Sequence, residues 1–178
     1  MDEIQTLGSR VVYENKWMRV REDDIHRENG LVGTYGVVEK PDFAIIAAVQ
    51  NDQIALVEQY RYPVKNRYWE LPQGTWDKDH DDPLGLAKAE LREETGIVAK
   101  EMLHVGFLYL AYGFCTQGYN VFLARDLEEH EPQREAEEHG LISAWFNLAK
   151  VDEMIRNGTL VDASTVAALG LIKTKGLL

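Results

Sequence analysis

The stretch from Gly74 to Ile97 constrains this chain most, because its second half has clear signals for one helix. Asp82 is a suitable N-cap, and Pro83 fits the first helical position, where no backbone N–H is needed. Gly96 can adopt the left-handed conformation that closes a helix. The sequence therefore predicts a helix over residues 83–95.

Three acidic residues, Glu90, Glu93 and Glu94, lie in the second half of this predicted helix. Residues three or four apart are neighbours on a helix surface, so their carboxylates are expected to cluster and repel one another. Mg²⁺ prefers oxygen ligands and is often shared between carboxylates and substrate phosphates, so it would relieve the repulsion. The cluster is therefore either a metal site or a solvated acidic helix face.

The surrounding residues favour the metal site. The run AELREETGI, preceded by a glycine-containing loop and Asp-Pro, closely resembles the Nudix box. The matching positions are Gly74, Glu90, Leu91, Glu93, Glu94, Gly96 and Ile97. Ala89 stands where the family has arginine, Asp81 stands where it has its first glutamate, and the loop between Gly74 and Asp81 is one residue longer. The chain is thus identified as a member of the Nudix hydrolase superfamily.

This resemblance implies an α/β fold in which a mixed β-sheet is sandwiched between α-helices. We expect one Nudix hydrolase domain over residues 1–178, with an N-terminal β extension at 1–40 and the Nudix core at 41–178. Residues 10–40 alternate like short antiparallel strands, and Glu28-Asn29-Gly30 is a hairpin signal. In relatives that cleave ADP-ribose, a similar sheet helps form a homodimer. The alternation is equally compatible with strands that cap the domain's own core.

The remaining elements follow from apolar runs and turn residues. Phe43–Val49 has the continuous apolar character of a strand that is buried on both faces. Further strands are expected at residues 54–60, 102–110, 119–124 and 140–146, followed by a helix over 148–157 and a last helix that starts near Asp162 or Ser164. Both residues are suitable N-caps.

The resemblance also implies a metal site. It assigns metal binding to Glu90, Glu93 and Glu94, and to the backbone carbonyl of Gln73, which precedes the box glycine. The implied cofactor is Mg²⁺, with Mn²⁺ as a possible substitute.

The group that accepts the proton of the attacking water is expected in a second acidic stretch. Residues 126–139 are strongly polar, and most of this stretch is typical of a solvated loop. In the ADP-ribose subgroup, however, a loop at this place carries a glutamate that swings toward the metal. Glu138 is the first choice for that role, Glu137 the second and Glu135 a weaker third. Glu90 is an alternative base within the box itself.

Candidate substrate contacts lie before and after the box. The segments VEQYRYPV and WELPQG resemble the approach to the box in ADP-ribose and nucleoside-diphosphate-sugar pyrophosphatases. Arg61 is a candidate phosphate contact because its fork suits phosphate oxygens, although it also fits an exposed edge strand. Glu70 is either a metal ligand or the partner of an arginine. Tyr112 either stacks on a base or sugar or folds over the core.

Composition excludes some classes of partner. The formal net charge of −11, from 30 acidic and 19 basic residues, argues against a general nucleic-acid binder, which needs a basic face. The single cysteine fits a reducing, cytoplasmic location. No apolar run approaches the roughly 20 residues of a membrane span, so no membrane partner is expected.

The function implied is that of an Mg²⁺-dependent pyrophosphohydrolase. Its substrate is a nucleoside diphosphate linked to another moiety, such as ADP-ribose or a nucleotide sugar. Its products are a nucleoside monophosphate and a phosphorylated compound. The alternative is a catalytically weak Nudix module that binds a nucleotide as a sensor, which Ala89 and the altered loop favour. A third hypothesis is an unrelated acidic α/β domain that mediates protein contacts.

Overall fold

The computed structural model describes residues 3–75, 82–134 and 140–178. The chain forms two compact units. The first comprises Met1–Asp42 with Tyr109–Gly118, and the second comprises Phe43–Leu108 with Tyr119–Leu178.

The first unit contains an antiparallel sheet of three strands in the order β1-β2-β3. The strands are β1 (Ile4–Glu14), β2 (Arg19–Arg27) and β3 (Val32–Glu39). The hairpin between β2 and β3 turns at Gly30, whose φ of 85° lies in the region that glycine adopts most easily. The expected antiparallel extension is therefore present. Its first strand begins at Ile4 rather than near residue 10, and irregular pairing lets this longer strand follow β2.

The second unit is built on a mixed sheet. In the described residues its strands are β4 (Phe43–Gln50), β5 (Gln53–Arg61), β6 (Asn66–Glu70), β7 (Gln73–Gly74), β8 (Ile97–Tyr109), β9 (Gly118–Glu129) and β10 (Ile142–Asn147). The order is β10-β5-β4-β9-β8, and β4 pairs with β9 in parallel. The pairs of β5 with β4, β6 and β10 are antiparallel.

Two short strands fill a wedge in this sheet. Strands β4 and β5 pair only beside their connecting turn, at Val49–Ile54 and Gln50–Gln53. Farther from the turn, β6 pairs with β5 and β7 pairs with β4. The segment 66–74 therefore lies where the two strands diverge, which brings residues 70–74 into the middle of the sheet.

Helices cover both faces of the sheet, as expected for a Nudix fold. They are α1 (Pro83–Thr95), α2 (Leu148–Arg156) and α3 (Ala163–Thr174). Because side chains alternate along a strand, Ala44 and Ile46 of β4 pack with α1, whereas Phe43 and Ile45 pack with α2 and α3. Among the described residues, none of the helices combines the length and apolar character needed to cross a membrane.

The ends of α1 are those predicted. The Asp82 side chain accepts a hydrogen bond from Gly85 N at 2.9 Å, and Gly96 closes the helix with a φ of 77°. Gly96 also packs closely against a neighbouring segment, because a Cβ there would lie 1.9 Å from the carbonyl oxygen of His130. Glycine is thus required at this position for two independent reasons.

Three parts of the sheet differ from the prediction. Strand β8 begins at Ile97, immediately after α1, and strands β6 and β7 were not predicted. Strand β9 continues to Glu129, so the start of the predicted acidic loop is strand. Two of its carboxylates face a cation of β8, where Lys100 Nζ lies 2.8 Å from Glu128 and 4.0 Å from Asp126. Opposite charges on adjacent strands stabilise pairing that the local sequence disfavours.

Candidate active site

Gly74 and Glu90 are in close contact in the predicted box. Gly74 lies in β7 opposite Ala44 of β4. A Cβ at Gly74 would lie 2.3 Å from Cδ, Oε1 and Oε2 of Glu90, so the whole carboxyl group rests against the glycine backbone. Lack of space, and not backbone conformation, favours glycine here, since its φ lies outside the left-handed region. The sequence match at these two positions therefore corresponds to one physical contact.

Glu94 is held against the neighbouring residue of β7. Its side chain is only 2% exposed, and Oε2 accepts a hydrogen bond from Gln73 N at 3.0 Å. Ile46 N donates to Pro72 O at 2.9 Å, which makes Gln73 and Ile45 a non-hydrogen-bonded pair in the ladder. The backbone N–H and C=O of Gln73 thus both point away from β4. The carbonyl of Gln73 therefore lies at the same edge of β7 as the N–H of Gln73, which donates to Glu94.

A segment that follows β9 covers the carboxyl end of α1. His130 N donates to Gly96 O at 2.9 Å, and Gln133 N donates to Glu93 O at 3.1 Å. Arg134 Nε donates to Glu94 O at 3.3 Å. Helices leave their last carbonyls without internal partners, so residues 130–134 complete the end of this helix. We call residues 130–134 the strap.

Arg61 and Glu70 form an ion pair at the wedge. Glu70 is 2% exposed, and it accepts hydrogen bonds from Nη2 and Nε of Arg61 and, at 2.9 Å, from Nε2 of Gln59. The Arg61 side chain is 41% exposed. Of the two roles predicted for Glu70, the structure therefore shows the arginine partner. Gln59 was not predicted, although it lies two residues before Arg61 and hence on the same face of β5.

Burial of Glu70 raises the pKa of its carboxyl, and the Arg61 charge and hydrogen bonds oppose that rise. The negative charge of Asp162 raises this pKa further. Asp162 caps α3 by accepting from Thr165 N at 2.7 Å, and the Thr165 hydroxyl accepts from Leu71 N at 2.9 Å. The start of α3 thus fixes the backbone next to Glu70.

The donor set fits a hard divalent cation. Glu90 and Glu94 contact consecutive residues of β7, and carboxylate and carbonyl oxygens are the ligands that Mg²⁺ prefers. In the part of the chain that the structure describes, no three Asp, Glu, His or Cys side chains already converge on one point. Glu94 instead directs its Oε2 to a backbone N–H, as expected for like charges that separate. A cation would thus bind by drawing together carboxylates that are already neighbours.

Family models match nearly the whole chain. The model described as "NUDIX domain" matches residues 40–169, and the model described as "Nucleoside diphosphate sugar hydrolase N-terminal domain" matches residues 4–38. The chain belongs to the Nudix family. The resemblance read from the box is therefore confirmed, and the chain is a Nudix hydrolase.

Curated relatives and a solved structure extend this result. The Nudix hydrolase is 30% identical over 169 residues to the ADP-ribose pyrophosphatase of Mycobacterium tuberculosis, covering 94% of this chain and 82% of the relative. It is 27% identical over 175 residues to the ADP-ribose pyrophosphatase of Bacillus subtilis, covering 97% and 94%. A solved structure titled "Crystal structure of ADP compounds hydrolase" matches with a TM-score of 0.85 at 21% identity, covering 100% of this chain and 98% of that one. This solved structure confirms the expected fold.

The other predicted site residues of the Nudix hydrolase have different outcomes. Glu138, Glu137 and Glu135 lie outside the described residues. Tyr112 belongs to the first unit, where its side chain is 84% exposed and packs edge-on against Tyr109 at 6.5 Å between ring centroids. Tyr112 therefore does not fold over the core, which was the alternative to its role as a substrate contact.

The described residues on either side of the predicted catalytic glutamates are anchored. Arg134 reaches Glu94 of α1 on one side, at the distance given above. On the other side, Arg67 Nη2 donates to Gly140 O at 2.6 Å, while Arg67 Nε donates to Glu58 at 2.8 Å. Neither arginine was predicted, because the backbone carbonyls of Gly140 and Glu94 that they reach lie far from them in the chain.

Proposed function

We propose that this Nudix hydrolase cleaves the diphosphate of ADP-ribose, or of a closely related nucleotide sugar, in an Mg²⁺-dependent reaction. The products would be a nucleoside monophosphate and a phosphorylated sugar. The observation that carries the proposal is the position of Glu90 and Glu94 against Gly74 and Gln73. Two relatives that the chain matches over almost its entire length are ADP-ribose pyrophosphatases, which supports the choice of substrate.

Glu90, Glu93, Glu94 and the carbonyl of Gln73 would hold the metal. When bound, Mg²⁺ or Mn²⁺ neutralises diphosphate charge and lowers the pKa of a coordinated water. The protein contributes fixed oxygen donors on two adjacent elements, α1 and β7. The Glu90 carboxyl rests against Gly74, which limits the positions that it can adopt in the site.

Proton transfer is assigned to the second acidic stretch. We propose Glu138 as the group that orients water or accepts its proton, with Glu137 as second choice and Glu90 as the alternative within the box. The described residue that precedes this stretch, Arg134, contacts the carboxyl end of α1, which supports this assignment. A general base must lie within hydrogen-bond reach of the proton that it removes.

Arg61 would bind a substrate phosphate. Its guanidinium is oriented by the buried Glu70 and by no other carboxylate in the described residues, while more than a third of the side chain is open to solvent. A guanidinium held in this way presents its remaining N–H donors in a fixed plane, which suits phosphate oxygens. Glu70 thus acts by orienting Arg61. Tyr112 is the proposed aromatic contact for the base or sugar, since its ring is largely exposed.

The N-terminal sheet would form a homodimer. Several large apolar side chains of this unit are exposed in the single chain, namely Ile4, Leu7, Val11, Val12, Tyr13, Trp17, Met18, Leu31 and Val32. A concentration of exposed apolar side chains in one sheet favours its use as an interface with a second copy. We also propose a cytoplasmic location, supported by the single cysteine, and a small-molecule substrate rather than a nucleic-acid polymer, supported by the net charge of −11.

The comparisons favour an active hydrolase over the sensor alternative, because the two relatives described above are named for the reaction that they catalyse. The test is a substrate panel of ADP-ribose, GDP-mannose, dinucleotides and nucleoside triphosphates with Mg²⁺ or Mn²⁺, in which products are identified by mass. Glu94→Gln serves as the control. We expect metal-dependent release of AMP from ADP-ribose by the wild type. Nucleotide binding without any turnover would instead establish the sensor.

A further inference from the structure

Arg134 links the carboxyl end of α1 to the sheet. Its Nε donates to the backbone carbonyl of Glu94 at 3.3 Å, and its Nη2 donates to Ser143 Oγ at 3.4 Å. Ser143 lies in β10, opposite Val57 of β5. The Arg134 side chain therefore connects the last turn of α1 to strand β10 of the mixed sheet.

Glu94 is consequently held at two points. Its carboxylate accepts from Gln73 N, and its own carbonyl accepts from Arg134. Gln133 N reinforces the same turn through the carbonyl of Glu93. The backbone of two predicted metal-binding residues is therefore fixed from the side of the strap.

The charge of Arg134 also suits this place. The carboxyl end of a helix carries partial negative charge, and a cation in that position stabilises the last turn. Here the last turn contains Glu93 and Glu94, whose negative charges add to that of the helix end. Within the described ranges, Lys88 and Arg92 of the same helix are exposed and form no salt bridge. Instead, Gln133 N contacts the backbone carbonyl of Glu93, and Arg134 contacts that of Glu94.

We propose that Arg134 is a positioning residue that fixes the metal-binding end of α1. It acts through the backbone of Glu94 and holds Glu93 and Glu94 in the arrangement that binds a divalent cation. This inference rests on the proposed function. Two opposite effects are separable: loss of positioning weakens metal binding, whereas loss of a nearby positive charge by itself tightens it.

Mn²⁺ binding to the substrate-free protein, measured by electron paramagnetic resonance, tests the proposal. We expect Arg134→Ala to raise the Kd for Mn²⁺ about 10-fold, the scale for loss of a residue that orients metal ligands. Arg134→Lys and Arg134→Gln, which both keep a hydrogen-bond donor, should each recover part of the loss. The matched control is Arg156→Ala, which removes a basic residue from the last turn of α2 and should leave Kd unchanged.

Kinetics and stability provide the second readout. Arg134→Ala should lower kcat about 10-fold at a fixed subsaturating Mg²⁺ concentration, with little change in KM and with recovery at high Mg²⁺. Melting temperatures of both alanine variants show whether stability alone accounts for the effect.

Unchanged or tighter Mn²⁺ binding in Arg134→Ala would overturn the proposal. If the wild type itself bound no Mn²⁺, the proposed function would fail with it. If Glu94→Gln lost Mn²⁺ binding and Arg134→Ala did not, only the role of Arg134 would be rejected.

Discussion

The contact between Gly74 and Glu90 gives the sharpest test of the site, through the substitution Gly74→Ala. The new Cβ would start 2.3 Å from all three terminal atoms of the Glu90 carboxyl. Ordinary carbon–oxygen contact needs about 3.4 Å, so the carboxyl must move by roughly 1 Å. Misplacement on this scale in an active site can cost about 100-fold in rate. We therefore expect kcat to fall by about two orders of magnitude.

Stability should change much less than activity. The group that must move is the far end of a flexible side chain, and the backbone at Gly74 does not require the left-handed conformation. Steady-state kinetics with ADP-ribose and Mg²⁺, together with a melting curve, separate the two effects. Gly170→Ala in α3 is the matched control, because a Cβ there meets nothing within 4 Å. It should keep full activity and be slightly more stable, since alanine is favoured over glycine in helices.

A double variant identifies the cause of the loss. In a Glu90→Ala background the clash is absent, so adding Gly74→Ala should cost little further activity. Full kcat in the single variant Gly74→Ala would refute a role for the Glu90 carboxylate at the reacting centre. Additive losses in the double variant would show that Gly74 acts by some other route.

Three further predictions concern proton transfer, assembly and pH. Glu138→Gln should lower kcat by roughly 10² to 10⁴ with KM nearly unchanged, as measured by steady-state kinetics; if Glu137→Gln is impaired instead, the role moves by one residue. Sedimentation should show a wild-type dimer and a Val11→Glu monomer, and a fully active wild-type monomer would reject the interface. For Glu70, burial places the folded-state pKa above the ordinary value of 4.5, so the folded state binds the proton more tightly than the unfolded chain. The free energy of unfolding of the wild type relative to Glu70→Gln should thus decrease as pH rises from below 4.5 through the folded-state pKa; an increase in urea titrations would mean that attraction to Arg61 outweighs burial.

Features with local signals were predictable from the sequence. Asp82, Pro83 and Gly96 define the ends of α1 through capping chemistry that involves only neighbouring residues. The apolar run that starts at Phe43 likewise predicted a strand buried on both faces. A continuous apolar run is visible in the sequence without knowledge of the strands that pair with it.

Features that depend on distant partners were not predictable. Strands β6 and β7 exist because β4 and β5 diverge, which no local pattern reports. Asp126 and Glu128 lie in strand β9, beside Lys100 of β8, although their own sequence is typical of a loop. For Glu70 the sequence left two roles open, and only the fold shows that Arg61 is its partner. The strap contacts of Arg134 join residues that lie 40 positions apart.

The most direct test of the central claim is release of AMP from ADP-ribose by folded wild type, Glu93→Gln and Glu94→Gln, with and without Mg²⁺. We expect AMP and ribose 5-phosphate as equimolar products of the wild type. We also expect loss of activity on chelation and a decrease of at least about 100-fold in each variant, because metal-held charge stabilisation is removed. Circular dichroism should show both variants folded. Near-normal AMP release by both variants, or release that persists after chelation, would contradict the assignment of these glutamates to a catalytic metal site.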